Sequence, residues 1–197
     1  MPATAKSVRK PPMRRSRAAE TRREQERVGT HKRSKSIDAV ALLKADHQRV
    51  DKMFKQFDQV RNNGEEKAAL VKAICDELKG HTTVEEEIFY PAMREAIRDA
   101  DILDEADVEH ASAKALIAQI ESMKPGDDHY EAKVTVLGEY VRHHVNEEQK
   151  QMFPKARKAK MDLKALGARI AARRAELVGE DSKTAFLEKQ ADLAAVG

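Results

Sequence analysis

Apolar residues recur at three- and four-residue steps in four long segments, which is the spacing of a helix with one buried face. We predict helices over residues 36–60, 65–97, 104–123 and 129–158, with Ser36 as the N-cap of the first. The turn signals "RNNG" and "KPGDD" follow the first and third segments. Because short loops join long helices, the predicted fold class is all-α. The predicted architecture is an up-down-up-down four-helix bundle built from two helical hairpins.

The second hairpin repeats the first at an offset of 63 residues. The repeat preserves the apolar stripe, one histidine in each odd helix, and the pattern H-x-x-x-E in each even helix. Two hairpins of the same design are therefore expected to pack face to face. The corresponding stretches are "ADH" (45–47) and "VEH" (108–110), "HTTVE" (81–85) and "HVNEE" (144–148), and "FYP" (89–91) and "MFP" (152–154).

The repeated histidines lie within the apolar stripes of their helices. Residues at equal distances from the turn of a hairpin stand at the same level, since both helices rise by about 1.5 Å per residue. The midpoint of His47 and His81 is residue 64, and that of His110 and His144 is residue 127, both in predicted turns. All four helices should therefore bring a histidine to one level inside the bundle.

Four histidines and two glutamates buried together would be strongly destabilising without a cation. The predicted metal ligands are therefore His47, His81, Glu85, His110, His144 and Glu148. Imidazole and carboxylate suit iron, manganese or zinc. If both glutamates bridge two ions, each ion has two histidines and two carboxylate oxygens. An oxo or hydroxo bridge is then a fifth ligand, and one position per ion stays open. The alternative is that these polar residues form hydrogen bonds only with one another and bind no metal.

Residues 36–158 resemble the hemerythrin-like, HHE cation-binding domain through "ADH", "HTTVEEEIFYP", "VEH" and "HHVNEEQKQMFP". The resemblance implies a non-haem centre of two Fe ions, oxo- or hydroxo-bridged, held by the same six residues, with Mn or Zn as other candidate metals. Oxygen-carrying hemerythrins have a second histidine where this chain has Lys114, and an aspartate where it has Gln149. The four-histidine pattern is similar to family members tied to iron-centre repair and to nitric oxide and peroxide responses.

Neighbouring polar residues are not predicted to bind the metal. His143 points about 100° away from His144 around the helix and should be exposed. His31 and His129 lie too far from the predicted site. Glu86, Glu87 and Glu147 are predicted to be solvated or to orient imidazoles. Tyr140 is predicted to pack against neighbouring side chains.

Composition supports a helical protein and restricts its location. Charged residues make up 36% and aromatic residues 4%, which suits helices with narrow apolar stripes. The single cysteine, Cys75, cannot form an internal disulfide and is expected to pack in the core, so a reducing, cytoplasmic location is predicted. No stretch approaches the roughly 20 apolar residues of a membrane helix, and no secretory signal is present, so no membrane partner is expected.

The chain is predicted to contain three regions, and the first differs from the rest in its charge. Residues 1–35 contain twelve Lys or Arg and three Glu, a net charge of +9, against −6 for the remainder. This tail is predicted to be disordered, with weak contact to nucleic acid or another polyanion, a solubilising role, or a transit peptide as alternatives. Residues 36–158 form the predicted bundle. Residues 159–197 form a helical extension with Leu163, Leu166 and Ile170 on one face, and residues 185–196 as a second short helix.

Three functions remain open from the sequence. The first is a di-iron protein that binds or senses O2, NO or peroxide, or handles iron in a stress response, without turnover. The second is a di-iron enzyme that removes peroxide or NO. Its electron donor would be external, because the chain contains no flavin or NAD motif. The third is a metal-free helical interaction module with the basic tail as its working part.

Overall fold

Helices account for nearly all of the residues that the computed structural model describes, which are 37–60, 64–97 and 101–177. The predictions for residues 1–35, for Ser36 and for residues 185–196 lie outside these ranges. The helices in chain order are α1 (Ala39–Gln59), α2 (Gly64–Val84), α3 (Tyr90–Ala96), α4 (Asp101–Glu121), α5 (Tyr130–Glu147), α6 (Phe153–Lys158) and α7 (Leu163–Leu177).

The first four long helices form the predicted bundle. Helices α1 and α2 make one antiparallel hairpin, and α4 and α5 make the other. Helix α2 also contacts α4, and α1 contacts α5, which closes the bundle. No strand occurs within the described ranges. The all-α, up-down-up-down four-helix bundle is therefore confirmed. No described helix is both long and apolar enough to cross a lipid bilayer.

Asp38 is the N-cap of α1. Its backbone is extended (φ −71°, ψ 157°), and its carboxylate accepts a hydrogen bond of 2.9 Å from the backbone N–H of Ala41. This bond satisfies one of the unpaired N–H groups at a helix start.

The apolar faces of the four bundle helices form the core. Leu70, Ala113 and Val141 on these faces are half-buried. The buried apolar side chains fall into two clusters, one on either side of the histidine level. One cluster includes Leu43, Phe89, Met93, Leu103 and Phe153, and the other includes Phe54, Ile74, Leu78, Ile117 and Leu137.

The second and fourth helices of the bundle are each interrupted by a π turn, which was not predicted from the sequence. The first spans Glu85–Phe89, between α2 and α3, and the second spans Glu148–Met152, between α5 and α6. The N–H of Tyr90 donates to the Glu85 carbonyl, five residues back. Pro91 follows the first turn, and it has no N–H to complete the α-helical pattern there. The wider turn accommodates this proline while the helix continues.

Helix α7 folds back onto the bundle. Leu166 and Ile170 are buried against α1 and its surroundings, while Leu163 is half-buried. The approach is closest at Gly167. A Cβ atom there would collide with the Ile37 carbonyl oxygen and lie 2.9 Å from the Ala39 nitrogen. Glycine at this position therefore permits backbone contact between α7 and the start of α1.

Gly167→Ala is expected to destabilise the fold by about 1–3 kcal/mol, because its methyl group meets backbone atoms that cannot rotate away. Gly64→Ala is the matched control, since its Cβ would meet only the Pro125 Cβ at 3.9 Å. Alanine is the better helix former, so the control should be neutral or slightly stabilising. Urea unfolding of the two variants measures the difference, and equal midpoints would contradict the close packing of α7.

Cys75 is 1% exposed and belongs to the apolar cluster that includes Phe54 and Ile74. Burial is the larger cause and the charge of Glu121 the smaller cause that raise the pKa of its thiol to about 11. The unfolded thiol, with a pKa near 9.0, loses its proton first as pH rises. Stability should therefore fall between pH 9 and 11, and Cys75→Ala should remove that part of the slope. Iodoacetamide at pH 8 should label the folded chain at least about 100-fold more slowly than the unfolded chain. Equal labelling rates would contradict the burial.

Candidate metal centre

The structure brings all six predicted ligands together between the two hairpins. Their side chains are buried, with 0 to 8% of each residue exposed. The ligand atoms form two groups, within each of which all atoms lie within 4.8 Å of one another. Glu85 belongs to both groups. The groups are His47, His81, Glu85 and Glu148, and Glu85, His110 and His144.

Each hairpin contributes one pair of histidines whose Nε2 atoms face each other. The Nε2 atoms of His47 and His81 are 3.1 Å apart, and those of His110 and His144 are also 3.1 Å apart. Two nitrogens that bind one ion at about 2.1 Å and at a right angle lie about 3.0 Å apart. Both pairs therefore have the spacing of two ligands of one metal ion.

The two glutamates lie between the histidine pairs. Glu85 Oε2 is 3.1 Å from His81 Nε2 and 3.5 Å from His110 Nε2. Glu148 Oε2 is 3.1 Å from His47 Nε2 and 3.6 Å from His144 Nε2. Each carboxylate thus reaches a histidine of both hairpins, which is the placement that a ligand bridging two ions requires.

The glutamate oxygens also lack the partners that a metal-free core should provide. Both oxygens of Glu85, and Oε2 of Glu148, are buried without a hydrogen bond of acceptable geometry, in spite of the nearby imidazoles. Buried polar atoms are nearly always hydrogen-bonded, and an unpaired carboxylate is especially costly. The donor set and its unpaired atoms therefore fit metal ions better than a self-satisfied polar cluster.

In the metal-free chain, the pKa values of the two glutamates shift in opposite directions. Burial and the neighbouring charge of Glu148 raise the pKa of Glu85. Burial alone would also raise the pKa of Glu148, but the imidazoles of His47 and His144 lower it to about 2. Two carboxylates this close resist carrying charge together. Cations bound between them would remove that conflict.

A polar partner faces the outer nitrogen, Nδ1, of every histidine in the site. Such partners fix the ring orientation of a metal-binding histidine. Asp46 and Glu109 are not among the predicted site residues, although an acidic residue precedes the histidine in both "ADH" and "VEH". Glu86 had been predicted to orient an imidazole or to be solvated. The partners and distances are Asp46 on His81 (3.5 Å), Glu109 on His144 (2.7 Å), Glu86 on His110 (3.0 Å) and the Gln149 amide on His47 (3.3 Å).

The π turns bring an aromatic ring to each histidine pair. In an α-helix, residues five positions apart point about 140° away from each other, so Glu85 and Tyr90 would diverge. The wider turn points both inward, and the Tyr90 hydroxyl lies 3.2 Å from Glu148 Oε1 and 3.3 Å from His110 Nε2. The repeat places Phe153 at the equivalent point, where its ring stacks on His47 at 5.7 Å. Tyr90 is therefore a further candidate ligand that the sequence analysis missed.

Several residues predicted not to bind the metal lie at the surface of the bundle, whereas His31 lies outside the described residues. The His143 side chain is 66% exposed, and Glu87 pairs with Arg173 on the surface. Lys114, which occupies the place of the extra histidine, binds Glu86. Tyr140 was predicted to pack, but 52% of it is exposed. Tyr140 also lines the cavity beside the four histidines.

A cavity of about 30 Å³ adjoins the four histidines. Its other walls are mainly apolar side chains from all four helices of the bundle. This volume holds about one or two water-sized molecules. A ligand of two or three heavy atoms fits the cavity, whereas a larger organic substrate does not. The apolar walls include Val50, Leu78, Ala113, Ile117 and Val145.

Comparisons with known proteins agree with this geometry. A crystal structure of a hemerythrin HHE cation binding domain-containing protein from Mycobacterium kansasii superposes with a TM-score of 0.63 at 24% identity. That match covers 72% of this chain and 87% of the other, and it establishes similarity of fold. A protein of Nostoc sp. named DNA nickase is 27% identical over 125 residues. They are 64% of this chain and 34% of the relative, so this chain spans about a third of that protein's length.

The model of one protein family matches residues 38–156, which is more than half of the chain and contains all six residues of the cluster. The matched region begins with the capping residue of α1 and ends within α6, so it includes both hairpins and both π turns. The buried histidine and glutamate groups suggest metal binding, in agreement with the description of that family. The chain belongs to the hemerythrin HHE cation-binding domain family.

Proposed function

We propose that this protein holds two iron ions between its hairpins and binds a small oxidant there, namely O2, NO or peroxide. One observation carries the proposal: two facing histidine pairs enclose two glutamates, and three of the four carboxylate oxygens are buried without a hydrogen-bond partner. His47 and His81 would hold one ion, and His110 and His144 the other. Glu85 and Glu148 would bridge them. Iron bound there would supply redox chemistry and a point of attachment for a small ligand.

The cavity beside the histidines supports a small ligand. It is about 30 Å³ in volume, and Leu78, Ala113 and Ile117 are among its walls. The apolar side chains among its walls disfavour charged solutes, although Asp46, Thr82 and Glu109 also line the cavity. The size and the chemistry of the cavity therefore favour O2 and NO as ligands. Peroxide is the largest of the three proposed ligands. We propose binding or sensing in a stress response, or handling of the iron itself, as the role of this site.

Turnover of peroxide or NO is the second candidate, and Tyr90 favours it. Its hydroxyl lies between His110, His144 and Glu148, at 3.2 to 3.4 Å from each. Burial and the nearby carboxylates raise its pKa well above the usual value, so the metal-free chain keeps the phenol protonated. A proton donor at this point could serve a reduction. The electrons would come from an external donor.

Glu85→Leu is expected to reduce bound iron from two ions per chain to less than one, because a bridging ligand is lost at similar side-chain volume. Elemental analysis after anaerobic iron loading measures the effect. Glu87→Leu is the matched control, since Glu87 is exposed and contacts Arg173 rather than the site. In the metal-free state Glu85→Leu should stabilise the fold by about 1–3 kcal/mol, because it removes an unpaired buried carboxylate. Wild-type protein that retains no metal would refute the proposal.

Ala113→Met is expected to fill the cavity and to weaken NO binding to the iron-loaded protein about tenfold or more, at unchanged iron content. Ala111→Met is the control on the same helix, because residue 111 is exposed. NO titration followed by absorption and electron paramagnetic resonance gives the affinities. Equal NO affinity in the two variants would show that the ligand reaches the ions by another route.

A further inference from the structure

Helix α7 begins after the residues that the family model matches, yet it reaches the surroundings of the metal cluster. Arg174 is 3% exposed, although arginine is rarely buried. Its Nη2 atom lies 2.8 Å from Asp46 Oδ2 and also binds the Glu77 carboxylate. Its Nη1 atom donates to the Glu77 carbonyl over 3.4 Å. The guanidinium is therefore held from both α1 and α2.

The same oxygen of Asp46 faces a predicted metal ligand. Asp46 Oδ2 is 3.5 Å from His81 Nδ1, while Oδ1 is 3.1 Å from Arg49. Arg174 and His81 thus share one carboxylate oxygen, and the arginine fixes where that oxygen lies. In the second hairpin, Glu109 lies 2.7 Å from His144, and the side chain is longer by one methylene. The shorter Asp46 reaches His81 at a larger distance and depends on its arginines for its orientation.

Gly80 provides the space for this arginine. A Cβ atom at residue 80 would collide with Arg174 Nη1. Glycine inside a helix costs about 1 kcal/mol relative to alanine, so its presence in α2 calls for a reason. The 63-residue repeat places His143 at the corresponding position of the second hairpin, where the side chain is 66% exposed. The bundle itself therefore tolerates a side chain here, and the glycine serves the docking of α7.

We propose that Arg174 is a positioning residue for His81, acting through Asp46, so that docking of α7 and metal binding at the His47–His81 pair are coupled. This inference rests on the proposed metal function. Coupling between two sites is reciprocal, so a metal ion that favours the oriented His81 also favours docked α7. The His110–His144 pair has its own partners in Glu86 and Glu109 and lies outside this coupling.

The test compares metal affinity in wild type, Arg174→Gln and Arg173→Gln, with Fe²⁺ under anaerobic conditions and a competing chelator. Arg173 is the matched control, because it lies on the same helix and pairs with the exposed Glu87. We expect wild type to bind two ions. Arg174→Gln should weaken one of them by about 10- to 100-fold and leave the other within about threefold. Arg173→Gln should match wild type.

Amide hydrogen exchange gives a second readout that does not involve activity. Metal loading should slow exchange in residues 163–177 of wild type and of Arg173→Gln. It should leave exchange in this segment unchanged in Arg174→Gln. A helix that is merely packed on the bundle would show the same exchange with and without metal in every variant, and this result would overturn the inference.

Gly80→Ala tests the contact while every charge is kept, and it decides the question if Arg174→Gln fails to fold. It should weaken the same ion as Arg174→Gln does, because the added methyl displaces the guanidinium. In an Arg174→Ala background, Gly80→Ala should have no further effect on metal affinity. Wild-type affinity in Gly80→Ala, or in a folded Arg174→Gln, overturns the inference alone. Wild-type protein without bound metal overturns the proposed function and the inference with it.

Discussion

The close burial of two carboxylates is the constraint on which the rest of this structure depends. Glu85 and Glu148 are 0% and 1% exposed, and most of their oxygens have no hydrogen bond. Burial of each such charge costs on the order of several kcal/mol unless a cation compensates it. Four imidazoles at the same level supply nitrogen ligands for that cation. The two apolar clusters on either side exclude water and hold the level in place.

The twofold repeat explains the arrangement of the centre, and its departures make the two halves unequal. Asp46 and Glu109 are equivalent, as are Glu86 and Gln149, and each faces the corresponding histidine. The aromatic residues differ, because one pair meets a phenol and the other a phenyl ring. The two histidine pairs are thus alike in ligands but distinct in polarity, with Tyr90 at one pair and Phe153 at the other.

Much of this centre could be predicted from the sequence, because helical spacing and level in a hairpin are simple functions of residue number. The buried stripes and the meeting of six ligands follow from those two rules. Asp46 was missed because its role depends on a rotamer across the hairpin. Tyr90 was missed because an ideal α-helix points it away from Glu85. Arg174 lies 93 residues from its neighbour His81, and no periodicity relates the two positions.

Each π turn also shifts the helical register between the two helices that it joins, α2 and α3 in the first hairpin and α5 and α6 in the second. Before the first turn, the buried positions run through Leu78, His81 and Glu85, and after it they run through Tyr90 and Met93. The second set is displaced by one residue from the α-helical continuation of the first. Deletion of a single residue in the turn would therefore leave a continuous α-helix with the same face buried. If the full-length turn instead relaxed to α-helical geometry, the following segment would rotate by about 100° and turn Tyr90 and Met93 away from the core. The turn thus sets which side chains are buried beyond it.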